Sequence, residues 1–509
     1  MTAPSGPETS GPPALRLRRI GIDTYQEPIL YMRSDCHVCR AEGFEAQTRI
    51  LARVRDREII ATVNVVTSRL LDLNEAGLSE AAWRQLDARE GEHVRLSHAP
   101  QLPSLGHVRA KIFGNPLDED AFQEIIGDIA AGRYSDMHLA AFVTACADNR
   151  IDRREITAMT RAMIRVGERL TWAASPVADK HCVGGLPGNR TTPILVPIVA
   201  ACGLTIPKTS SRAITSPAGT ADAMETLAPV DLDAARMRRV VEQEGGCIVW
   251  GGAVRLSPAD DIMIRAERAL DIDGEGQLVA SVLSKKVAAG STHVVIDIPT
   301  GPTAKTRTPE AAASLRELLV AIGHKFGMKV KALVTDGTQP VGCGIGPALE
   351  AADVLAVLRN APDAPGDLRE RSLLLAGALL ELAGRAPAGK GIPMARAALD
   401  DGRAWRKFQA ICRAQGGMRD LPRAAHTRPV TSARKGCVAS IDNRRLSRTA
   451  KLAGAPKAPA AGLVLHTRIG TTVTEGQPLF TIHAESRGEL DYALEYVRGQ
   501  PDIVRVEDP

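Results

Sequence analysis

Two glycine-rich turns, about thirty residues apart, constrain this chain more than any other feature. The first is Asp179-Lys180-His181-Cys182-Val183-Gly184-Gly185-Leu186-Pro187-Gly188-Asn189-Arg190-Thr191-Thr192. The second is Lys208-Thr209-Ser210-Ser211-Arg212-Ala213-Ile214-Thr215-Ser216-Pro217-Ala218-Gly219-Thr220, running on to Leu227. Each joins backbone freed by glycine to hydroxyl donors and a cation. Each also leads into a stretch that reads as a helix, whose first amides would face the same ligand. A plain strand-to-helix connection uses glycine too, but two such turns carrying lysine, arginine and several hydroxyls point to a bound anion, phosphate first.

The rest of the composition narrows the ligand. A formal charge of +5, from 64 basic and 59 acidic residues, is too small for a general nucleic-acid binder. With only 3 % aromatic residues there is little material for stacking bases. A small anionic ligand fits better, and neither a nucleic-acid nor a membrane partner is expected. Nine cysteines, mostly isolated in apolar segments, suit reduced thiols in a cytoplasm. Cys36 and Cys39 form one C-x-x-C pair without a second pair at useful spacing, so packing thiols are expected rather than zinc. The N-terminus has no apolar leader core and no run of eighteen apolar residues occurs, so the chain is expected to be neither exported nor membrane-spanning.

A length of 509 residues predicts several domains. A disordered tail is expected over 1–14, then a β-rich module over 15–100, from short alternating runs such as Ile59-Ile60-Ala61-Thr62-Val63. Apolar spacing of three and four predicts a helical domain over 110–176, with Ser135 as an N-cap. Alternating strands and helices predict an α/β phosphate-binding domain over 177–422. A C-terminal α+β domain follows over 423–509. Its start, 423–451, carries eight Lys or Arg against the single acid Asp442, read as solvated or bordering the cleft.

Lys208 to Glu225 resembles the signature of the thymidine phosphorylase and pyrimidine-nucleoside phosphorylase family. So do Lys180-His181 with Gly184-Gly185, Ser281-Val282-Leu283-Ser284-Lys285-Lys286, Thr335-Asp336 with Gly342 and Gly346, and Val438-Ala439-Ser440-Ile441-Asp442. The resemblance covers roughly 110–505 and is closer to the longer branch of the family, which includes AMP phosphorylases. It implies a multidomain α/β protein with an active cleft between a helical and an α/β sheet domain, usually a homodimer. The implied reaction is phosphorolysis in nucleotide salvage, with inorganic phosphate as co-substrate and neither metal nor covalent intermediate.

By matched position, Lys180, Thr191 or Thr192, Ser210 and Thr220 would hold phosphate, with Ser211 beside them. His181, Ser281 and Lys285 would recognise the base and stabilise its departure. Gly185, Arg212, Thr215, Ser216 and Lys305 are substrate-binding candidates, and Asp273 is a proton-donor candidate with Asp260 and Asp261 as competing acids. Cys182 departs from the family, which carries a serine there, and is a weaker donor.

Thymidine is the default substrate. The longer branch keeps a nucleoside 5′-monophosphate open, bound through Lys208, Arg212, Ser211, Thr215 and Ser216. A phosphoribosyltransferase would share the fold but normally needs Mg²⁺. A catalytically silent phosphate sensor, with the N-terminal module as an assembly platform, is the remaining reading, and Cys182 is its only support.

Overall fold

The computed structural model describes residues 14–148, 150–213, 216–270, 272 and 274–508. The expected tail therefore lies outside the described residues up to Pro13, and Ala14 already opens a strand. Two compact units divide the chain, one made of 1–146 with 265–270, the other of 147–264 with 271–509.

The first unit begins with six strands: β1 (Ala14–Arg19), β2 (Ile29–Arg33), β3 (Arg49–Val54), β4 (Arg57–Val66), β5 (Glu75–Leu78) and β6 (His93–His98). They close into a barrel in the order β1-β5-β2-β4-β3-β6, with β1/β5 and β2/β4 parallel and the other pairs antiparallel. Alternation sets the two faces: Leu15 and Leu17 of β1 are buried while Arg16 and Arg18 between and after them face outward. A closed barrel leaves no free edge. Cys36 caps the short helix His37–Glu42 by accepting from the Cys39 amide at 3.3 Å, and the Cys39 thiol donates to the Phe44 carbonyl at 2.9 Å. Both sulfurs sit in the barrel core. Helices Ser104–Ile112, Glu119–Ala130 and Asp136–Ala145 belong to the same unit, and Ser135 caps the last of them.

The second unit is built on parallel strands β7 (Ala178–Cys182), β8 (Ile206–Ser210), β9 (Gly246–Trp250), β10 (His293–Thr300) and β11 (Lys329–Asp336). β10 lies between β7 and β11, and β8 pairs with β9; a bridge from Val177 to Thr205 joins the two groups. These strands carry continuous apolar runs, as in Val294-Val295-Ile296, because helices cover both faces of a parallel sheet. The helix Thr192–Ala201 is apolar on every side and wholly buried apart from its last residue.

The helices expected to form one domain over 110–176 are divided between the two units. Arg153–Val166, capped by Asp152 with Glu155 in a capping box, packs on Glu275–Ala288 and belongs with the α/β sheet. The C-terminal part forms two small antiparallel sheets under the helices Asn443–Leu452 and Arg487–Arg498. One of these sheets takes in Gly344–Ile345, paired with Gly462–Leu465, so its core reaches back well before residue 423.

Candidate active site

Both turns leave the sheet at the carboxyl ends of neighbouring strands, β7 and β8, the end of an open α/β sheet where ligands bind. Lys180 is fully buried. Its ammonium donates to Thr191 Oγ1 at 2.7 Å, Thr192 Oγ1 at 3.3 Å and the Gly188 carbonyl at 3.4 Å. The Thr191 hydroxyl in turn donates to the Gly188 carbonyl at 2.7 Å. Burial lowers the Lys180 pKa from the usual lysine value. Among the described residues, none forms an ion pair with it; Asp297 and Asp179 act on the ammonium only from beyond ion-pair distance, so an incoming anion would be a closer counter-charge.

Just behind it, Asp179 is also fully buried and accepts from Lys286 Nζ at 2.6 Å and the Ser291 hydroxyl at 2.9 Å. Lys208 Nζ lies 3.9 Å from the same carboxylate and donates to the Thr209 carbonyl. Two buried lysines thus share one acid. Burial first, and then the Lys286 charge, push the Lys208 pKa well below its ordinary value. His181 is affected the same way: burial and the surrounding Lys286, Lys208, Lys285 and Lys180 hold its pKa well below the histidine norm. Its imidazole is therefore neutral at pH 7, able to donate or accept one proton but not a standing cation. Ser210, at the end of β8, is buried and its hydroxyl has no partner among the described residues.

The second turn is held differently. Asp222 accepts from the Ala213 amide at 2.6 Å and the Gly219 amide at 2.8 Å. A side chain at Gly219 would come within 2.4 Å of the Ser211 carbonyl, so glycine is required for the loop to fold back. Arg212 donates to Glu225 at 2.5 and 3.1 Å and to Asp222 at 3.4 Å, and its guanidinium stacks 4.9 Å from the Trp250 ring centre. Ser211 is exposed, and its carbonyl accepts from Ala221. Thr220 opens the helix Thr220–Glu225. Ser216 is buried and accepts the Leu186 amide at 3.2 Å, joining the two turns. Thr215 lies outside the described residues, as does Asp273.

On the helix Glu275–Ala288, Lys285 stands one turn after Ser281 and donates to its hydroxyl at 3.3 Å. The same ammonium forms a close ion pair with Asp260, a buried carboxylate of the helix Pro258–Leu270. Neither Asp260's pairing with Lys285 nor that helix was legible in the sequence, where Asp260 stood only as a competing acid. Gly185 (φ 84°) passes so close to Lys305 that a side chain there would meet the Lys305 amide nitrogen at 2.8 Å.

Cys182 is partly buried next to Asp297, and burial with that carboxylate pushes its thiol up to about 12. Asp297 accepts from Thr335 at 2.6 Å. Trp250 is the other feature that sequence reading missed. It sits opposite Ser210 in the β8/β9 register, a pairing between distant residues that no sequence signal marks.

The structure therefore brings Lys180, Thr191 and Thr192 together at the first turn, Lys208 and Ser210 at the end of β8, and Ser281 and Lys285 on one helix. Arg212 is already occupied by carboxylates. Among the described residues there is no cluster of three His, Cys, Asp or Glu suited to a metal ion. Also among them, no helix is long and apolar enough to cross a membrane.

Three family profiles match in order. "Glycosyl transferase family, helical bundle domain" covers residues 107–167, "Glycosyl transferase family, a/b domain" 174–405 and "Pyrimidine nucleoside phosphorylase C-terminal domain" 437–503. The chain is 63% identical over 506 residues to a Polaromonas protein named "Putative thymidine phosphorylase", covering 99% of each. It is 64% identical over 494 residues to "Putative thymidine phosphorylase 1" of an Acidovorax species, covering 97% of each. A Legionella pneumophila relative with the Polaromonas protein's name is 59% identical over 490 residues, 96% of this chain and 95% of the other. Among solved structures, anthranilate phosphoribosyltransferase of Thermus thermophilus superposes with a TM-score of 0.52 at 22% identity, over 60% of this chain and 98% of that one. That likeness is one of fold.

Proposed function

The chain belongs to the thymidine and pyrimidine-nucleoside phosphorylase family, and from that membership we propose that it cleaves thymidine with inorganic phosphate, giving thymine and 2-deoxyribose 1-phosphate. It is a pentosyltransferase, and its relatives support nucleoside phosphorolysis as the reaction class. The observation that carries the reading is Lys180, a buried cation held by the Thr191 and Thr192 hydroxyls and by no carboxylate among the described residues. A phosphate dianion supplies the missing charge.

In this reading Lys180, Thr192, Ser210 and Thr220 hold phosphate against the anomeric carbon. A phosphate oxygen forms the new bond to that carbon as the bond to the base nitrogen breaks, its electron pair leaving with the base. Negative charge then builds on the base, where the Lys285 ammonium and Ser281 hydroxyl stabilise it, and the proton that hydrogen phosphate loses on becoming the sugar 1-phosphate ends on the base nitrogen. Neutral His181 donates a hydrogen bond to a base carbonyl. No metal or organic cofactor has a part in this proposal, and a homodimer goes with it.

A second reading, a nucleoside 5′-monophosphate as substrate, rests on Lys305, which Gly185 allows to approach the first turn. Arg212 contributes less to it, because Glu225 and Asp222 already neutralise that charge.

The test is chromatographic base release from thymidine, uridine, AMP, CMP and UMP, with and without phosphate and with EDTA present. Phosphate-dependent release of thymine is the expected result. Release from the monophosphates alone would replace thymidine with a nucleotide, and no release from any of the five would remove the proposal.

A further inference from the structure

Leu186 is the anomalous residue of the first turn. Gly184 and Gly185 stand at φ 91° and 84°, and Leu186 continues them at 82° although it bears a side chain that rarely adopts this region. That backbone is held by contacts from three directions. The Leu186 side chain is 1% exposed and lies in the apolar core of the C-terminal domain with Ile345, Val438, Ile441, Leu446 and Leu463. Its amide donates to Ser216 Oγ of the second turn at 3.2 Å. The next carbonyl, of Pro187, accepts the Val341 amide at 3.0 Å. One residue further on, the Gly188 carbonyl accepts from Lys180 and from Thr191. Chain 184–188 thus runs from a left-handed start, through an anchor in another domain, to the groups that aim the buried ammonium.

We infer that Leu186 is a positioning residue through which the C-terminal domain fixes the shape of the first turn, and with it the placement of Lys180 and the Thr191 and Thr192 hydroxyls for phosphate. The inference rests on the proposed phosphate site. Leu186 touches no substrate in this scheme. Its side chain keeps three consecutive left-handed residues from relaxing, and a relaxed turn would move the Gly188 carbonyl from Lys180. A misplacement on the scale of 1 Å is enough to weaken such a site severely.

The test uses the full-length protein and inorganic phosphate as probe, read by calorimetric Kd and by KM for phosphate and for nucleoside separately. Leu186→Ala is expected to raise the phosphate Kd and KM about tenfold while the nucleoside KM stays within about twofold, and Leu186→Met is expected to restore both. Leu446→Ala, on the helix Asn443–Leu452, shifts the phosphate values in the same direction by a smaller factor and serves if Leu186→Ala fails to fold.

Unchanged phosphate affinity in a folded Leu186→Ala or Leu446→Ala protein would overturn the inference, as would parallel loss of phosphate and nucleoside affinity. Wild-type protein that binds phosphate without releasing base would remove the proposed reaction and leave the Kd comparison to decide the role of Leu186. Wild-type protein that binds no phosphate would remove both.

Discussion

The two glycine-rich turns look alike as sequence and differ as structure. In the first, the cation Lys180 is buried among hydroxyls and a carbonyl, with no ion-pair partner among the described residues. In the second, the cation Arg212 is paired with Glu225 and Asp222 and stacked on Trp250. A charge already matched by two carboxylates gains little from an anion, whereas an unmatched buried charge gains much. The difference teaches that glycine, hydroxyl and cation together do not define an anion site; the carboxylate content around the cation does. The second turn acts chiefly as a clamp, and in the proposed reaction Ser210 and Thr220, rather than the paired Arg212, are its contribution to phosphate.

The sharpest way to break this contrast is to remove each cation. Lys180→Ala is expected to lower kcat/KM for phosphate by about a thousandfold and to abolish the rise in Tm that phosphate gives the wild type. Arg212→Ala is expected to change phosphate KM by less than about threefold. Equal losses in the two variants would erase the distinction between the turns. Next in size is the proposed base end of the site. Lys285→Ala is expected to lower kcat about a hundredfold with phosphate affinity nearly unchanged, measured by steady-state rates and calorimetry.

The clamp is tested by stability rather than rate. Asp222→Ala leaves the Ala213 and Gly219 amides without their acceptor and is expected to cost about 2 kcal/mol in chemical denaturation. Glu225→Gln, at a side chain 39% exposed, is expected to cost less than about 1 kcal/mol. If the order of these two were reversed, the guanidinium pair and not the amide cage would hold the turn.

What the sequence made legible follows from the range of the interactions. Helix ends set by local chemistry were readable, as with Ser135, whose hydroxyl caps the helix Asp136–Ala145. Alternation from Ala14 to His98 showed strands but not their closure, because pairings such as β1 with β5 join residues far apart in the chain. The two turns stood out because glycine, lysine and hydroxyls are written next to one another. Leu186, Trp250 and the Asp260 partner of Lys285 did not, since each acts through residues distant in sequence: Leu446, Arg212 and a helix twenty-five positions away. The difference between a filled and an unfilled cation was likewise hidden. Lys180 and Arg212 differ through what surrounds them: folding brings Glu225 to Arg212, while among the described residues no carboxylate comes within ion-pair distance of Lys180.

The smallest expected effect concerns Cys182, where the family carries serine. The thiol lies beside Asp297, and burial together with that carboxylate pushes it up to about 12, so at pH 8 it stays protonated. A neutral thiol facing a carboxylate donates to it, and a serine hydroxyl would donate in its place more strongly. Cys182→Ser should therefore keep the turn intact and alter kcat/KM for phosphate by no more than about threefold. Iodoacetamide at pH 8 should leave activity unchanged on the timescale in which an ordinary exposed thiol is alkylated, because the reactive thiolate is scarce. Rapid inactivation of the wild type that Cys182→Ser abolishes would show an ionised sulfur in the site. The first turn would then carry its own counter-charge for Lys180, and the contrast with Arg212 would fail.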